Sequence, residues 1–216
     1  MDSTLPRTAV LCDFDGTATP CIVMDALYRR YAAPSWEEVT ARWERGEIGT
    51  RQEIETNFST ITAGRAEMER FLDTVPLDPG FRSLVDLCRE RGHVFALVSD
   101  GLTWYINHVL DRHGIQGVRV YANEVYFEPE GFRFSFPWYS EESPKRATSK
   151  VTLVRQHQAL GMRVVFIGDG LSDVEVAGVA DVLYARDALL AYCQERGIPA
   201  RPFVNLEDVL AELRAG

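Results

Sequence analysis

The apolar run Ala9-Val10-Leu11-Cys12 and the two carboxylates that end it, Asp13 and Asp15, constrain this chain more than any other stretch. Continuous rather than alternating hydrophobicity over so short a run marks a strand buried on both faces of a parallel sheet. Acidic groups where such a strand stops lie at the carboxyl edge of the sheet, where open α/β folds bind ligands. Gly16 supplies the backbone freedom of a sharp turn and Thr17 a hydroxyl beside it. Taken alone, the stretch is equally an ordinary Asp-Gly turn after a strand. Its partners elsewhere in the chain decide between the two readings.

Two further runs end in the same way. Val94 to Val98 stops at Ser99-Asp100-Gly101, and Val164 to Ile167 stops at Gly168-Asp169-Gly170, with Asp173 four residues beyond Asp169. Val118 to Ala122 and Val182 to Tyr184 supply two more strands, and Val125–Phe127 with Phe132–Phe136 around Pro129-Glu130-Gly131 predicts a hairpin. Helical spacing fills the gaps: Phe81, Leu84, Val85 and Cys88 on one face, Leu102, Ile106, Val109 and Leu110 on another. Further helices are expected over Ser149–Leu160, Ala188–Glu195 and Glu207–Leu213. Strands alternating with helices predict an α/β class, a Rossmann-like parallel sheet with right-handed crossovers. Four short helical patterns between Ile22 and Val75 contain no buried strand. They predict a helical insert over 19–78, interrupting a core made of 1–18 and 79–216.

If the strands are parallel, Asp13, Asp15, Ser99, Asp169 and Asp173 meet at one edge. Lys150 falls in the first turn of its helix, where the macrodipole disfavours a cation, and an anion nearby removes that conflict. Lys145 competes for the same role. Crowded carboxylates repel, each pair by roughly 4 kcal/mol at about 4 Å and an effective dielectric near 20. A divalent cation relieves this, and oxygen-only ligands suit Mg²⁺. The histidines His93, His108, His113 and His157 have no ligand-type spacing and are expected to be structural or solvent-facing.

The 216 residues are 46% hydrophobic, enough for a sizeable core, and carry a net charge of −9. That charge argues against nucleic acid or an anionic membrane surface as a bulk partner, but not against a small anionic ligand held by local charge. The segment Met1–Thr8 has no apolar leader core, and no apolar run approaches membrane length. Cys12, Cys21, Cys88 and Cys193 are scattered, with Cys12 and Cys88 on apolar faces. A cytoplasmic protein with buried thiols is the expectation; the oligomeric state is left open.

Asp13-Phe14-Asp15-Gly16-Thr17, Ser99, Lys150 and Gly168-Asp169-Gly170-Leu171-Ser172-Asp173 together resemble the four ordered motifs of the haloacid-dehalogenase-superfamily phosphatases. The insert after the first motif resembles the cap of the phosphoserine-phosphatase-like branch. Tyr31–Trp36, Ser99-Asp100-Gly101, Tyr184–Asp187 and Tyr192-Cys193 are similar to the methionine-salvage phosphatases within it. The resemblance implies hydrolysis of a small-molecule phosphate monoester, with Asp13 as nucleophile and Asp15 as acid and base. It implies Ser99 and Lys150 on the phosphoryl oxygens, and Mg²⁺ on Asp13, the Asp15 carbonyl and Asp169, with Asp173, Thr17 and Gly168 in support. Gly101 and the insert residues Trp36, Trp43, Phe58, Arg42 and Arg51 are the first candidates for substrate contact, Trp36 and Phe58 reading also as core of the insert and the arginines as solvated faces. Tyr105, Trp138 and Tyr139 are candidates to line the pocket from the core side.

The glutamate that phosphoserine phosphatases place soon after the first motif has no counterpart in Thr19–Val23, and the cysteines frequent before the motif lysine in methionine-salvage relatives are missing from 137–148. Phosphoserine or a phosphocholine-type ester is the alternative within the branch. A receiver-like phospho-acceptor domain, which shares an Asp, a hydroxyl, a Lys and Mg²⁺, is the alternative of another class. A dehalogenase using Asp13 on carbon is the third, and it needs neither Asp15 nor a metal.

Overall fold

The computed structural model describes residues 7–215; the expectation of no leader core falls mainly on 1–6, outside the described residues. The chain opens with β1 (Thr8–Cys12) and continues through α1 (Val23–Tyr31), α2 (Trp36–Glu44), α3 (Thr50–Phe58) and α4 (Arg65–Leu72). There follow α5 (Phe81–Glu90), β2 (Val94–Leu102), α6 (Thr103–Arg112), β3 (Arg119–Glu128) and β4 (Gly131–Ser135). The last third holds α7 (Lys150–Ala159), β5 (Arg163–Gly168), a 3-10 turn over Leu171–Val176, β6 (Val182–Ala185), α8 (Asp187–Arg196), β7 (Arg201–Pro202) and α9 (Leu206–Ala215).

The seven strands form one sheet in the order β4-β3-β2-β1-β5-β6-β7. Every neighbouring pair is parallel except β3 and β4. β1 sits at the centre, with Val10 opposite Phe95 of β2 on one side and Val165 of β5 on the other. Alternate residues of a strand face opposite sides, so Val10 and Cys12 join one apolar cluster and Ala9 and Leu11 the other. Residues of α5, α6 and α9 cover the first face; α7, α8 and the 3-10 turn cover the second. Both faces of β1 are therefore dry, which is why its sequence does not alternate.

The helices between β1 and α5 share the first cluster through Leu27, Tyr28, Phe58, Met68 and Leu72. Phe58 of α3 packs edge-on against Phe132 and Phe134 of β4, with ring centroids 5.2 and 5.3 Å away. The backbone N–H of Thr50, at the start of α3, donates to the Lys145 carbonyl at 2.9 Å. The segment α1–α4 thus touches the sheet edge through Phe58 and the loop before α7 through Thr50.

Three elements differ from the sequence expectation. β2 does not stop at Val98 but continues through Ser99-Asp100-Gly101 to Leu102, with a register shift between Val98 and Leu102. The buried Asn123 side chain donates to the carbonyls of Asp100 and Gly101 at 2.7 and 3.1 Å, serving backbone groups that would otherwise be stranded. Val118–Ala122 and Val125–Phe127 are not two strands but one, β3, whose first half pairs with β2 and second half with β4. The polar Asn123-Glu124 pair imitates a break, yet Asn123 is fully buried by the hydrogen bonds just described. The two-residue β7 was not expected; its Pro202 is tolerated because it lies on the sheet edge. Among the described residues, no helix is long and apolar enough to cross a membrane.

Candidate active site

Asp13 follows β1 directly, and its backbone N–H donates to the Ile167 carbonyl of β5 at 2.9 Å. The ladder that builds the sheet therefore carries one residue past β1 and sets where Asp13 points. Lys150 Nζ lies 2.8 Å from Asp13 Oδ2 and 2.6 Å from Asp173 Oδ1, with the lysine 1% exposed. Asp173 Oδ2 accepts from the N–H groups of Asp169 and Gly170 at 3.0 and 3.2 Å, closing the loop after β5 onto the 3-10 turn. Thr17 donates to Asp169 Oδ1 at 2.5 Å, so the first motif reaches the last across 152 positions of sequence. Gly16 stands at φ +76°, and a Cβ there would overlap the Asp169 carboxylate; the turn and the close approach both require glycine.

Lys150 is delivered by a relay that begins at β2. Asp100 Oδ1 accepts from the N–H groups of Ala147 and Thr148 at 3.1 and 2.7 Å, fixing the loop into α7. Ser149 then caps α7, accepting from the Thr152 N–H at 3.4 Å. The macrodipole conflict seen in the sequence is answered by Asp13 and Asp173. Lys145 instead donates to the Gly46 carbonyl at 2.7 Å, on the surface. Of the two lysines, Lys150 reaches the carboxylates.

Asp15 faces the other way. Its Oδ1 accepts from the Val23 N–H at 2.6 Å and its Oδ2 from the Tyr105 hydroxyl. Burial raises its pKa to about 6 against the pull of both hydrogen bonds. Asp13 and Asp15, one residue apart, thus serve two separate neighbourhoods of one cavity of about 320 Å³. Ser99 lines the same cavity, its Oγ accepting from the Gly101 N–H at 2.9 Å.

Asp13, Asp169 and Asp173 offer carboxylate oxygens that all lie within 4.8 Å of one another. Burial, then the charge of Asp173, raises the pKa of Asp13, and the same causes push Asp169 up to about 7. Burial works against the Lys150 charge, yet Asp13, Asp173 and Asp100 hold its pKa above the ordinary lysine value. One lysine does not compensate three buried carboxylates. An all-oxygen set left short of positive charge fits a hard divalent cation such as Mg²⁺.

Gly101 lines the cavity as expected, but Trp36, Arg42 and Arg51 do not. Trp36 is buried in the insert's own core against Tyr28, at 6.2 Å between rings, because a large apolar ring is worth most where water is excluded. Arg42 pairs with Glu47 at 3.4 Å on the surface, and Arg51 lies over the Tyr139 ring at 3.8 Å. Phe58 and Trp138 are packing residues as well, Trp138 standing edge-on to Tyr121. Trp43 does line the cavity, with Ile22, Met24, Ile54 and Leu171 forming its apolar part. None of the four histidines lines it. Cys12, Cys88 and Cys193 are buried free thiols, and Cys21 is half-buried.

Two residues hold the site in ways the sequence does not indicate. Tyr105 was a candidate only for the cavity wall, yet its hydroxyl holds Asp15; no local pattern marks a helix tyrosine for that partner. Arg186 donates to the Gly16 carbonyl and, at 2.7 Å, to the Val204 carbonyl, clamping the first-motif turn to the carboxyl end of β6. Its place just after a strand that ends on the same sheet edge was the available signal. Gly101→Ala tests the Tyr105 contact, because a Cβ there would overlap the tyrosine hydroxyl and press on Asp15. Tyr105 is fully buried and has little room to retreat. The expected result is a roughly 10²-fold loss of kcat with a folded protein, since misplacement by about 1 Å costs that much; unchanged kcat on an alkyl phosphate would contradict the role given to this contact.

Glu53 of α3 completes the cavity wall. Its Oε1 accepts from Asn57 Nδ2 at 2.7 Å, and burial pushes its pKa up from 4.5 to about 7. Below pH 4.5 the folded and unfolded chains both hold this proton; between about 4.5 and 7 only the folded chain does. The Glu53 contribution therefore falls as pH rises through that window, by about 3 kcal/mol at most. Denaturant midpoints of the wild type and Glu53→Gln should diverge between pH 5 and pH 8, the variant gaining on the wild type. Parallel midpoints would show the carboxyl to be ionised throughout.

Acid groups, a buried lysine and a hydroxyl gathered on the carboxyl edge of a parallel sheet, beside a cavity lined in part by α1, α2 and α3, define a phosphoryl-transfer hydrolase. The chain belongs to the haloacid dehalogenase-like hydrolases, whose family model matches residues 10–178. A 2-hydroxy-3-keto-5-methylthiopentenyl-1-phosphate phosphatase of Exiguobacterium sp. is 31% identical over 96% of this chain and 97% of its own length. The enzyme of the same name from Geobacillus kaustophilus is also 31% identical, over 96% of each chain. Among solved structures, a substrate-bound phosphoserine phosphatase superposes with a TM-score of 0.74 at 17% identity, covering 96% of this chain and 99% of that one. The protein is a phosphatase, a phosphoric monoester hydrolase.

Proposed function

We propose that the chain is a Mg²⁺-dependent phosphatase working through an aspartyl-phosphate, and that its substrate is 2-hydroxy-3-keto-5-methylthiopentenyl-1-phosphate. The observation that carries the mechanism is the Lys150–Asp13 contact of 2.8 Å beside Asp169 and Asp173, with Asp15 lining the same cavity. Asp13 attacks phosphorus; as the new O–P bond forms, the ester bond breaks and the leaving alkoxide takes a proton from Asp15. Asp15, now a carboxylate, takes a proton from the water that attacks the aspartyl-phosphate, and Asp13 and inorganic phosphate are released. Splitting one displacement into two is the benefit of the covalent route. Ser99 and Lys150 bind the phosphoryl oxygens, a role that depends on positioning and charge.

Asp13, Asp169 and the Asp15 carbonyl are the proposed Mg²⁺ ligands, with Asp173 in support. Bound there, the ion supplies charge neutralisation for the phosphoryl group and the nucleophile. Residues 19–78 act as the cap that covers the site and meets the leaving group. The substrate rests on the relatives' names and on the apolar wall of Ile22, Met24, Trp43 and Ile54, which suits a methylthioalkyl tail. Turnover of this ester, phosphoserine, choline phosphate and an aryl phosphate, each with Mg²⁺ and with EDTA, tests both parts. EDTA should remove at least ~10²-fold of the activity. Equal rates with EDTA would refute the metal, and preference for phosphoserine or choline phosphate would refute the substrate.

A further inference from the structure

The part of the cavity lining supplied by α1, α2 and α3 carries acids and no cation. Asp25, Glu44 and Glu53 line it, and no lysine, arginine or histidine does so among the described residues. The nearby Lys150 is held by Asp13 and Asp173 on the phosphoryl side and cannot turn toward the leaving group. A leaving group that carries its own carboxylate would therefore meet three acids and no cation.

Within that wall Glu53 is the buried acid, Asp25 being half-buried and Glu44 exposed, and it keeps unspent hydrogen-bonding capacity. It is only 7% exposed and is locked on one oxygen, Oε1, by Asn57 at 2.7 Å and by Thr40 at 3.4 Å. The other oxygen, Oε2, has among the described residues only the Tyr28 hydroxyl, at 3.4 Å. A carboxylate oxygen accepts two hydrogen bonds, and this one has a single long contact. The apolar Met24, Trp43 and Ile54 line the same cavity beside Glu53, with Thr40 and Thr50 as its other uncharged polar neighbours from α2 and α3.

We propose that Glu53 is a specificity-determining residue, binding a hydroxyl of a neutral leaving group and, with Asp25 and Glu44, excluding leaving groups that carry a carboxylate. The proposal rests on the phosphatase reading and adds to it the residue that reads the alcohol half of the ester. Two physical effects act in the same direction. A buried acceptor left unpaired penalises a substrate that lacks the hydroxyl, and like charge penalises one that replaces it with a carboxylate.

Glycerol 3-phosphate and 3-phosphoglycerate form a matched pair, alike except that one ends in a hydroxymethyl group and the other in a carboxylate. The test is kcat/KM for both at pH 8 with Mg²⁺, in the wild type, Glu53→Gln and Glu53→Ala. The wild type should favour the neutral ester by at least ~10²-fold, and Glu53→Gln should shrink that ratio at least tenfold, mainly through KM. Because the ratio cancels the active fraction, a partly folded variant still reports. A structural role for Glu53 would lower both rates together and leave the ratio unchanged, which would overturn the assignment. So would a wild type that prefers 3-phosphoglycerate, or one that prefers choline phosphate, whose cation the acids would attract without any hydroxyl. Absence of p-nitrophenyl phosphate turnover by the wild type is a separate result, and it would overturn the phosphatase reading itself.

Discussion

Asp13→Asn yields a folded protein whose kcat on any phosphate ester is lower by roughly 10⁴-fold or more, the loss expected when a covalent nucleophile is removed. The amide keeps the volume of the carboxyl and the hydrogen bond that the Asp13 side chain accepts from the Phe14 N–H at 2.7 Å. It also removes one of the crowded buried charges; burial, then repulsion from Asp173, raises the pKa of Asp13. Lys150 retains Asp173 at 2.6 Å. Thermal unfolding without metal is therefore expected at or above the wild-type midpoint. Retained turnover of p-nitrophenyl phosphate would refute the nucleophile assignment, and a collapsed midpoint would show Asp13 to be needed for folding instead.

Lys150→Met separates the lysine's structural and chemical roles. The methionine fills most of the buried volume but leaves Asp13, Asp169 and Asp173 without their cation. Breaking one side of a buried ion pair typically costs about 3–5 kcal/mol. Urea unfolding at pH 7.5 should show a loss of that order in EDTA, and Mg²⁺ should restore part of it by supplying positive charge to the same carboxylates. Activity should fall by roughly 10²–10³-fold even when Mg²⁺ restores stability, because a preorganised donor to the phosphoryl oxygens is gone. A midpoint shifted by less than about 1 kcal/mol would mean that the lysine does not compensate the carboxylates.

Much of this arrangement was legible because parallel strands impose a simple rule. When apolar runs such as 9–12, 94–98 and 164–167 lie side by side in the same direction, whatever follows each one arrives at the same edge. Asp13, Ser99 and Asp169 are first or second after those runs, so their convergence follows from chain direction alone. Residues further from a strand end were less legible. Lys145 and Lys150 both lie near the start of a helix, and only the Asp100 contacts to Ala147 and Thr148 show which one is carried inward. Trp36, Arg42 and Arg51 looked like substrate contacts because an aromatic ring and guanidinium groups bind esters as readily as they fill small cores or pair with glutamate. Burial and partners decide between those uses, and neither is written in the local sequence.

Periodicity and strand endings in the sequence determined the class of fold, the burial of the first strand on both faces and the gathering of acidic groups at one sheet edge. These are properties of short segments, set by which side chains must leave water. The tertiary structure alone decided that Asp15 is held by Tyr105, that Arg186 clamps the Gly16 turn, and that α1, α2 and α3 bring acids but, among the described residues, no cation to the cavity. Each depends on groups from separate elements meeting at hydrogen-bonding distance, and the angle at which helices settle on a sheet is fixed by packing over the whole core.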